Sequence, residues 1–501
     1  CREQPAAGLY ANFGLYVSAG TVVSRRKFPT LFSPGEQVMN SIQEYLHQNK
    51  SRFETELFDW LKIPSIGTDP DYDSQTREAG LWLAEKFRQL GLETEVIETW
   101  RHPLIYAQSP PVPGKPVALV YGHYDVQPPD PLDLWDSPPF EPTVRDGKVF
   151  ARGATDDKGQ MITHLFGVEA FLKQVGPLPI QVKFLIEGEE ESGGRGLTEF
   201  LQGSHDHQLP VKERLAADIA IISDCSQYGP GQPAITYGLR GNTYFQLDLV
   251  GPNRDLHSGG FGGMVTNPAN ALSQMMAALI DKNGRIQVPG FYDQVRELTA
   301  EEKTEFLKLN FSEAELRQDL GVDQLVGEAG YSTLERGWTR PTFDINGMWS
   351  GYQGKGAKTV LPSEAGAKFS FRLVPDQDPE LIIANVRKML ESICPPGIKM
   401  KLNAMHGAPG FVLPLDSPYM GAASRAIETG FGTPPLFIRS GGTIPVVSQF
   451  STYLGIQTLL LGWGQNDDNL HSPNEKFSLE DFHRGISSSS ALWSELGKLT
   501  V

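Results

Sequence analysis

The run at residues 184–194, FLIEGEEESGG, constrains this chain more than any other stretch. An apolar segment ends in three adjacent carboxylates, Glu189, Glu190 and Glu191, followed by glycines that permit a sharp turn. Three neighbouring anions repel one another. In a partly dry site the remedies are protonation or a nearby cation, and a divalent metal is the strongest cation available. Alone, such a run is more often a solvated loop or helix start. Four further motifs change that reading. GHYD, ending at Asp125, follows VALVY; GATDDKG, at 153–159, precedes a helical pattern; ISD ends at Asp224 after ADIAI; and NLHSPNE places His471 after LLLGWG. Each candidate ligand stands at the end of a strand-like run or in the turn beyond it. That is one rim of one sheet, where open α/β sheets gather their ligands.

With 501 residues the chain is long enough for roughly two or three domains and a sizeable core. Its 40% hydrophobic and 21% charged residues describe a globular protein. A formal net charge of -16 argues against nucleic acid and anionic lipid as partners. The three cysteines, Cys1, Cys225 and Cys394, can build neither a disulfide framework nor a thiolate cage. A reducing, cytoplasmic setting is therefore compatible, and metal ligation must rely on histidine and carboxylate. Cys225 is expected to be a small buried residue.

Residues 1–35 form an ambiguous extension: a processed leader remnant, a lipid-attached terminus through Cys1, or a disordered arm. The apolar part is short for a membrane span, and no other stretch resembles one. Apolar residues at helical spacing predict one or two helices over 37–61 and another over 77–90, stopped at Gly91. LETEVIE, VALVY and IQVKFLI, with a helix near 157–174, describe an α/β layer. The Pro-rich loop at 127–141 is expected to be packed down by Trp135 and Phe140. The character changes at 239–241. Here metal-type residues stop, and NTYFQLDLV, a helix over 267–280, AKFSFRLV and a helix over 379–391 suggest an α+β unit inserted over residues 240–405, with a charged helical stretch at 293–326. The catalytic layer, 36–239, resumes over 406–501 with IQTLLLG, the His471 loop and a closing helix over 479–499.

Zinc or manganese accepts imidazole nitrogen and carboxylate oxygen. Two histidines and three acids suit two ions bridged by one carboxylate, activating a water. Since Glu190 and Glu191 are adjacent, one can coordinate while the other takes the proton. Asp125, two residues after His123, is placed to accept the second imidazole N–H.

GHYDVQP, RGATDDKG, EGEEESGG, ISDC, DLHSGGFGG, GAKTVLP, FSFRLVP, SGGTIP and HSPNEK together resemble the successive signatures of the M20 metallopeptidases, most closely their carnosinase-like dipeptidase branch. The resemblance runs from about residue 37 to the C-terminus. It implies a three-layer α/β/α catalytic domain interrupted by an α+β lid that also mediates homodimerisation, and two divalent ions, zinc before manganese or cobalt. It further implies His123 and Asp224 on one ion, Glu191 and His471 on the other, Asp156 bridging, and a cis peptide between Asp156 and Asp157. Glu190 becomes the general base, with Asp125 supporting His123. His257 would reach the other subunit's site as an oxyanion donor. Arg372 would clamp the substrate's C-terminal carboxylate, and Thr359 and the turn Gly441, Gly442, Thr443 would add hydrogen bonds. Relatives often carry Ser where this chain has Thr443, whose methyl narrows the substrate space. The expected activity is hydrolysis of dipeptides with a free C-terminal carboxylate. Its rivals are an N-acyl-amino-acid deacylase, a carboxypeptidase-like hydrolase and, from another class, a silent metal-binding scaffold.

Overall fold

The computed structural model describes residues 34–203 and 210–501. The expectations for Cys1 and for all but the end of the 1–35 extension lie outside the described residues. Four apolar runs, Gln181–Glu187, Val117–His123, Ile219–Ile222 and Thr458–Gly462, lie side by side and parallel. They are buried almost end to end, as parallel strands covered on both faces must be. Register sets His123 opposite Glu187, and both Tyr121 and Leu460 opposite Ile222. All four strands therefore deliver their C-terminal ends to one rim. Antiparallel strands flank them: Leu104–Gln108 and Glu93–Ile97 on one side, Ala234–Leu239 and Phe411–Val412 on the other. Leu436–Ser440 pairs in parallel with Ala234–Leu239 and completes nine strands.

Helix Lys158–Gln174 packs on strand Val117–His123 and against the closing helix Leu479–Leu496. It is buried on nearly every side over its first fourteen residues, so its sequence carries little amphipathic signal. The expected helices near the N-terminus are Pro34–Gln48, Lys50–Leu61 and Asp73–Gln89, and Gly91 follows the last with φ 78°. Trp135 is half-buried, its indole N–H donating to the Pro129 carbonyl at 2.7 Å, which pins the Pro-rich loop. Cys225 is half-buried rather than fully enclosed, because it sits in the turn that leaves strand Ile219–Ile222 and only leans on the core.

A second sheet is antiparallel throughout, in the order Thr342–Ser350, Glu364–Leu373, Gly241–Val250, Lys399–Ala408. Gly241–Val250 alternates buried and half-buried positions, the mark of a sheet covered on one face. Helices Pro268–Ala277 and Pro379–Ile393 supply that cover, and Phe245, Phe369, Phe371, Leu272, Val386 and Leu390 form a core separate from the first. The chain leaves one sheet at Leu239 and enters the other at Gly241. A side chain at Gly241 would collide with the Ala408 carbonyl and the Gly410 amide, where the returning chain passes.

The charged stretch at 293–326 does hold helices, Ala300–Leu307 capped by Thr299 and Glu313–Leu320 capped by Ser312. The first of them leans toward the first sheet: Phe306 packs against the first core, and buried Arg439 on strand Leu436–Ser440 pairs with buried Glu302. Helix Pro418–Phe431 and strands Leu104–Gln108, Phe411–Val412 and Leu436–Ser440 were not separated by the sequence pattern. Among the described residues no helix is long and apolar enough to cross a membrane.

Candidate metal centre

His123 ends its strand wholly buried. Its Nδ1 lies 3.0 Å from the Asp125 carbonyl and 3.4 Å from Asp125 Oδ1. Nε2 stands 3.1 Å from Asp156 Oδ1 without hydrogen-bond alignment. Asp156 occupies the turn before helix Lys158–Gln174, and its peptide to Asp157 is cis. Asp156 Oδ2 is 3.0 Å from His471 Nε2, which is 3.4 Å from Glu191 Oε2. His471 itself has φ 59°, a left-handed conformation that costs such a residue about 1–2 kcal/mol. Two sets of ligand atoms result: His123, Asp156 and Asp224, and Asp156, Glu191 and His471, each within 4.8 Å of one another. Asp156 belongs to both.

The electrostatics call for cations. Burial, reinforced by the charge of Asp156, pushes Asp224 well above the usual carboxylate range. Burial raises Glu190 to about 7, with Glu191, Asp125 and Asp156 adding to it against His123. Asp156 is held low in spite of its burial, by the imidazoles of His123 and His471 on either side of its carboxylate. Two imidazoles and three carboxylates, hard and borderline donors in two sets sharing one member, fit a pair of divalent ions such as zinc.

The triple-Glu run divides its labour. Glu189 turns away: Oε1 accepts from the His102 amide at 3.1 Å and Thr99 Oγ1 at 3.2 Å, Oε2 from Trp100 Nε1 at 2.7 Å and the Gly196 amide at 3.1 Å. Four donors satisfy it without a metal. Asp125 does more than face His123, since its carboxylate also accepts the backbone N–H of Glu190 at 3.2 Å and of Glu191 at 3.1 Å. Gln127 Nε2 donates to Glu191 Oε2 at 2.7 Å, a contact the sequence did not suggest.

Arg372 and Thr443 line a cavity of about 870 Å³ that reaches Gly193, at the end of the Glu190–Glu191 turn. Arg372 Nη1 donates to Thr443 Oγ1 at 3.0 Å, and Thr443 in turn to the Arg240 carbonyl at 2.6 Å. Arg240 is lowered to about 10 by burial and then by the charge of Arg372, and its guanidinium donates to the Gly441 and Arg340 carbonyls. Gly442 is exposed in the adjoining turn. His257 and Thr359 lie elsewhere. They stand together on the ribbon Leu256–His257 and Val360–Leu361, both exposed, with His257 Nδ1 accepting from the Gly259 amide at 3.0 Å. Neither is in the two ligand sets of this chain.

The model of Peptidase family M20/M25/M40 matches residues 119–495. The chain belongs to this family. Among its M20 relatives it is 34% identical over 464 residues to the Cys-Gly metallodipeptidase dug1 of Schizosaccharomyces pombe, covering 89% of this chain and 96% of the relative. It is 32% identical over 483 residues to the Beta-Ala-His dipeptidase of Homo sapiens, covering 93% and 94%. The crystal structure of human carnosine dipeptidase 1 superposes with a TM-score of 0.73 at 31% identity, over 92% of this chain and 99% of that one. The M20 family metallo-carboxypeptidase Sso-CP2 from Sulfolobus solfataricus gives 0.77 at 32% identity, over 89% and 99%.

Proposed function

We propose that this M20 enzyme hydrolyses the amide bond of dipeptides with a free C-terminal carboxylate. The observation that carries it is the cavity holding Arg372 beside the turn of Glu190 and Glu191. Among the described residues the Arg372 guanidinium donates to a hydroxyl and no carboxylate, and with the half-buried Arg240 guanidinium near enough to feel its charge it sets a positive field for a carboxylate. The Cys-Gly and Beta-Ala-His dipeptidases among the relatives support the same substrate class.

His123, Asp156 and Asp224 would hold one ion, and Asp156, Glu191 and His471 the other, zinc being favoured by the donor set. When bound, the pair supplies Lewis-acid activation of water and of the scissile carbonyl. Glu190 takes the proton from the attacking water and passes it to the leaving amine. Asp125 fixes His123 and, through two backbone N–H groups, the aim of Glu190 and Glu191. Arg372 and Thr443 orient the C-terminal carboxylate, with Gly442 bordering the site.

We assign residues 36–239 with 406–501 to the catalytic unit and 240–405 to the lid, which the separate cores support, although helix Ala300–Leu307 of the lid segment packs on the first core. The lid's outer strand, Thr342–Ser350, is an edge that exposes Ile345, Met348 and Trp349, a surface suited to a second copy. In such a homodimer His257 and Thr359 of one chain would complete the other's site. Three cysteines suit a cytoplasmic setting. A panel of dipeptides against N-acetyl amino acids, with zinc or manganese supplied, tests the function: dipeptides should be turned over, and exclusive cleavage of the acylated amino acids would make the enzyme a deacylase.

A further inference from the structure

Glu475 has no exposure to solvent, yet it collects four donors. Arg152 Nη1 donates to Oε2 at 2.8 Å and the Gly153 amide to the same oxygen at 2.9 Å. The amides of Thr155 and Asp156 donate to Oε1 at 3.0 and 3.1 Å. Three of the donors are backbone N–H groups within four successive residues, the last of them belonging to Asp156. The carboxylate sits in a concave nest made by the very turn that presents the shared ligand.

The same segment is stitched to the His471 loop at further points. The Ala151 amide donates to the Glu475 carbonyl at 3.1 Å, and Thr155 Oγ1 lies 2.7 Å from the Lys476 carbonyl and 3.1 Å from Asp468 Oδ2. Asp468 is in turn paired with Lys476 at 3.1 Å. Two loops more than three hundred residues apart in sequence are thereby locked in register, and His471 and Asp156 meet at 3.0 Å.

A buried ion pair is weak grounds for stability, since apolar replacements of like volume often serve as well. An apolar residue at 475 could not, however, accept three amides of one turn. We infer that Glu475 is a positioning residue of the metal centre: its carboxylate sets the place of Asp156 and couples it to the His471 loop, so that both ligand sets form together. Arg152 neutralises the carboxylate and leaves the aiming to the N–H groups. The inference rests on the two-ion reading of the site.

The test measures metal binding to the chelator-stripped protein by calorimetry, with folding followed by circular dichroism. The wild-type chain should take up two zinc ions. Glu475→Gln keeps the size but sets an NH2 against backbone donors, and zinc affinity should fall roughly 10- to 100-fold, the usual effect of losing a partner behind a ligand. Glu475→Asp, which keeps the charge with a shorter reach, should fall between. Arg152→Gln retains the three amide donors and should lower the melting temperature more than it lowers affinity. Should Glu475→Gln be too unstable for calorimetry, the rise in melting temperature on adding zinc reads the same quantity by linkage. A smaller rise than in wild type supports positioning. Equal zinc affinity, or an equal rise on a lower baseline, reduces Glu475 to a structural ion pair and overturns the inference. A wild-type chain that binds no zinc or manganese would remove the metal-site reading itself.

Discussion

Asp156 Oδ2 stands 3.0 Å from His471 Nε2 although 315 positions separate the two residues. The other oxygen of the same carboxylate faces His123 at 3.1 Å, so one side chain serves both ligand sets. Asp156→Ala should therefore lose both ions rather than one, whereas Asp224→Ala or His471→Ala should each weaken one. Metal content after dialysis, read by atomic spectrometry, checks this. Retention of one full equivalent by Asp156→Ala would remove it from the bridging position.

Glu190 is adjacent to a ligand but is absent from both ligand sets. If it carries the proton, Glu190→Gln should keep both metal equivalents and lower kcat by roughly 10²- to 10⁴-fold, the usual share of a general base. KM should change little. A variant that instead loses metal would make Glu190 a ligand and shift the base to another carboxylate.

Among the described residues Arg372 donates to a hydroxyl, that of Thr443, and to no carboxylate. Arg372→Met should lower kcat/KM for dipeptides by roughly 10- to 100-fold, the range of a hydrogen bond to a charged group. Dipeptide amides, which lack the anion, are the control: wild type should process them poorly, and Arg372→Met should hardly worsen that. Equal losses on both substrate types would count against carboxylate recognition.

His164 is enclosed between Ser223 Oγ at 2.7 Å and Ser489 Oγ at 2.8 Å, and burial depresses its pKa to about 3. The folded imidazole stays neutral while the unfolded one takes a proton below its ordinary value of about 6.5. Its contribution is therefore whole above pH 6.5 and is lost as pH falls toward 3, at up to about 1.4 kcal/mol per pH unit. Urea midpoints measured with a chelator present should show wild type losing more stability than His164→Gln between pH 7 and 4. Parallel pH profiles would show that this imidazole is not the group responsible.

The site's location was legible because His123, Glu191 and Asp224 lie at or just beyond the ends of apolar runs, and a parallel block gathers those ends; Asp156 comes instead from the turn before helix Lys158–Gln174. Residue types and adjacency left the three glutamates interchangeable, and only the resemblance singled out Glu190 and Glu191; the task of Glu189 depends on Thr99, Trp100, His102 and Gly196. Glu475 was hidden for the same reason: it sits inside the HSPNEK motif, but its function is written in donors from residues 152–156. Strand Leu436–Ser440 escaped because a short, half-buried element leaves little periodicity. Helix Pro418–Phe431 carries buried Met420, Ala423, Ala426 and Ile427 at helical spacing, a pattern the sequence did offer. Cys225 was expected inside, but a turn residue at a strand end is only partly covered.

His257 and Thr359 are both exposed, side by side at the ribbon of Leu256–His257 and Val360–Leu361, outside both ligand sets of their own chain. If they serve the partner's site, defects in His257 and in Glu190 lie in complementary halves of one composite centre. His257→Ala and Glu190→Gln chains, each nearly inactive alone, should regain activity when mixed and allowed to exchange. A hybrid dimer contains one site with both residues intact and one with neither, so random pairing should restore about a quarter of wild-type activity. Mass-tagged chains verify the exchange. Hybrid dimers formed in the expected proportion but without activity would place His257 at its own chain's site or outside catalysis altogether.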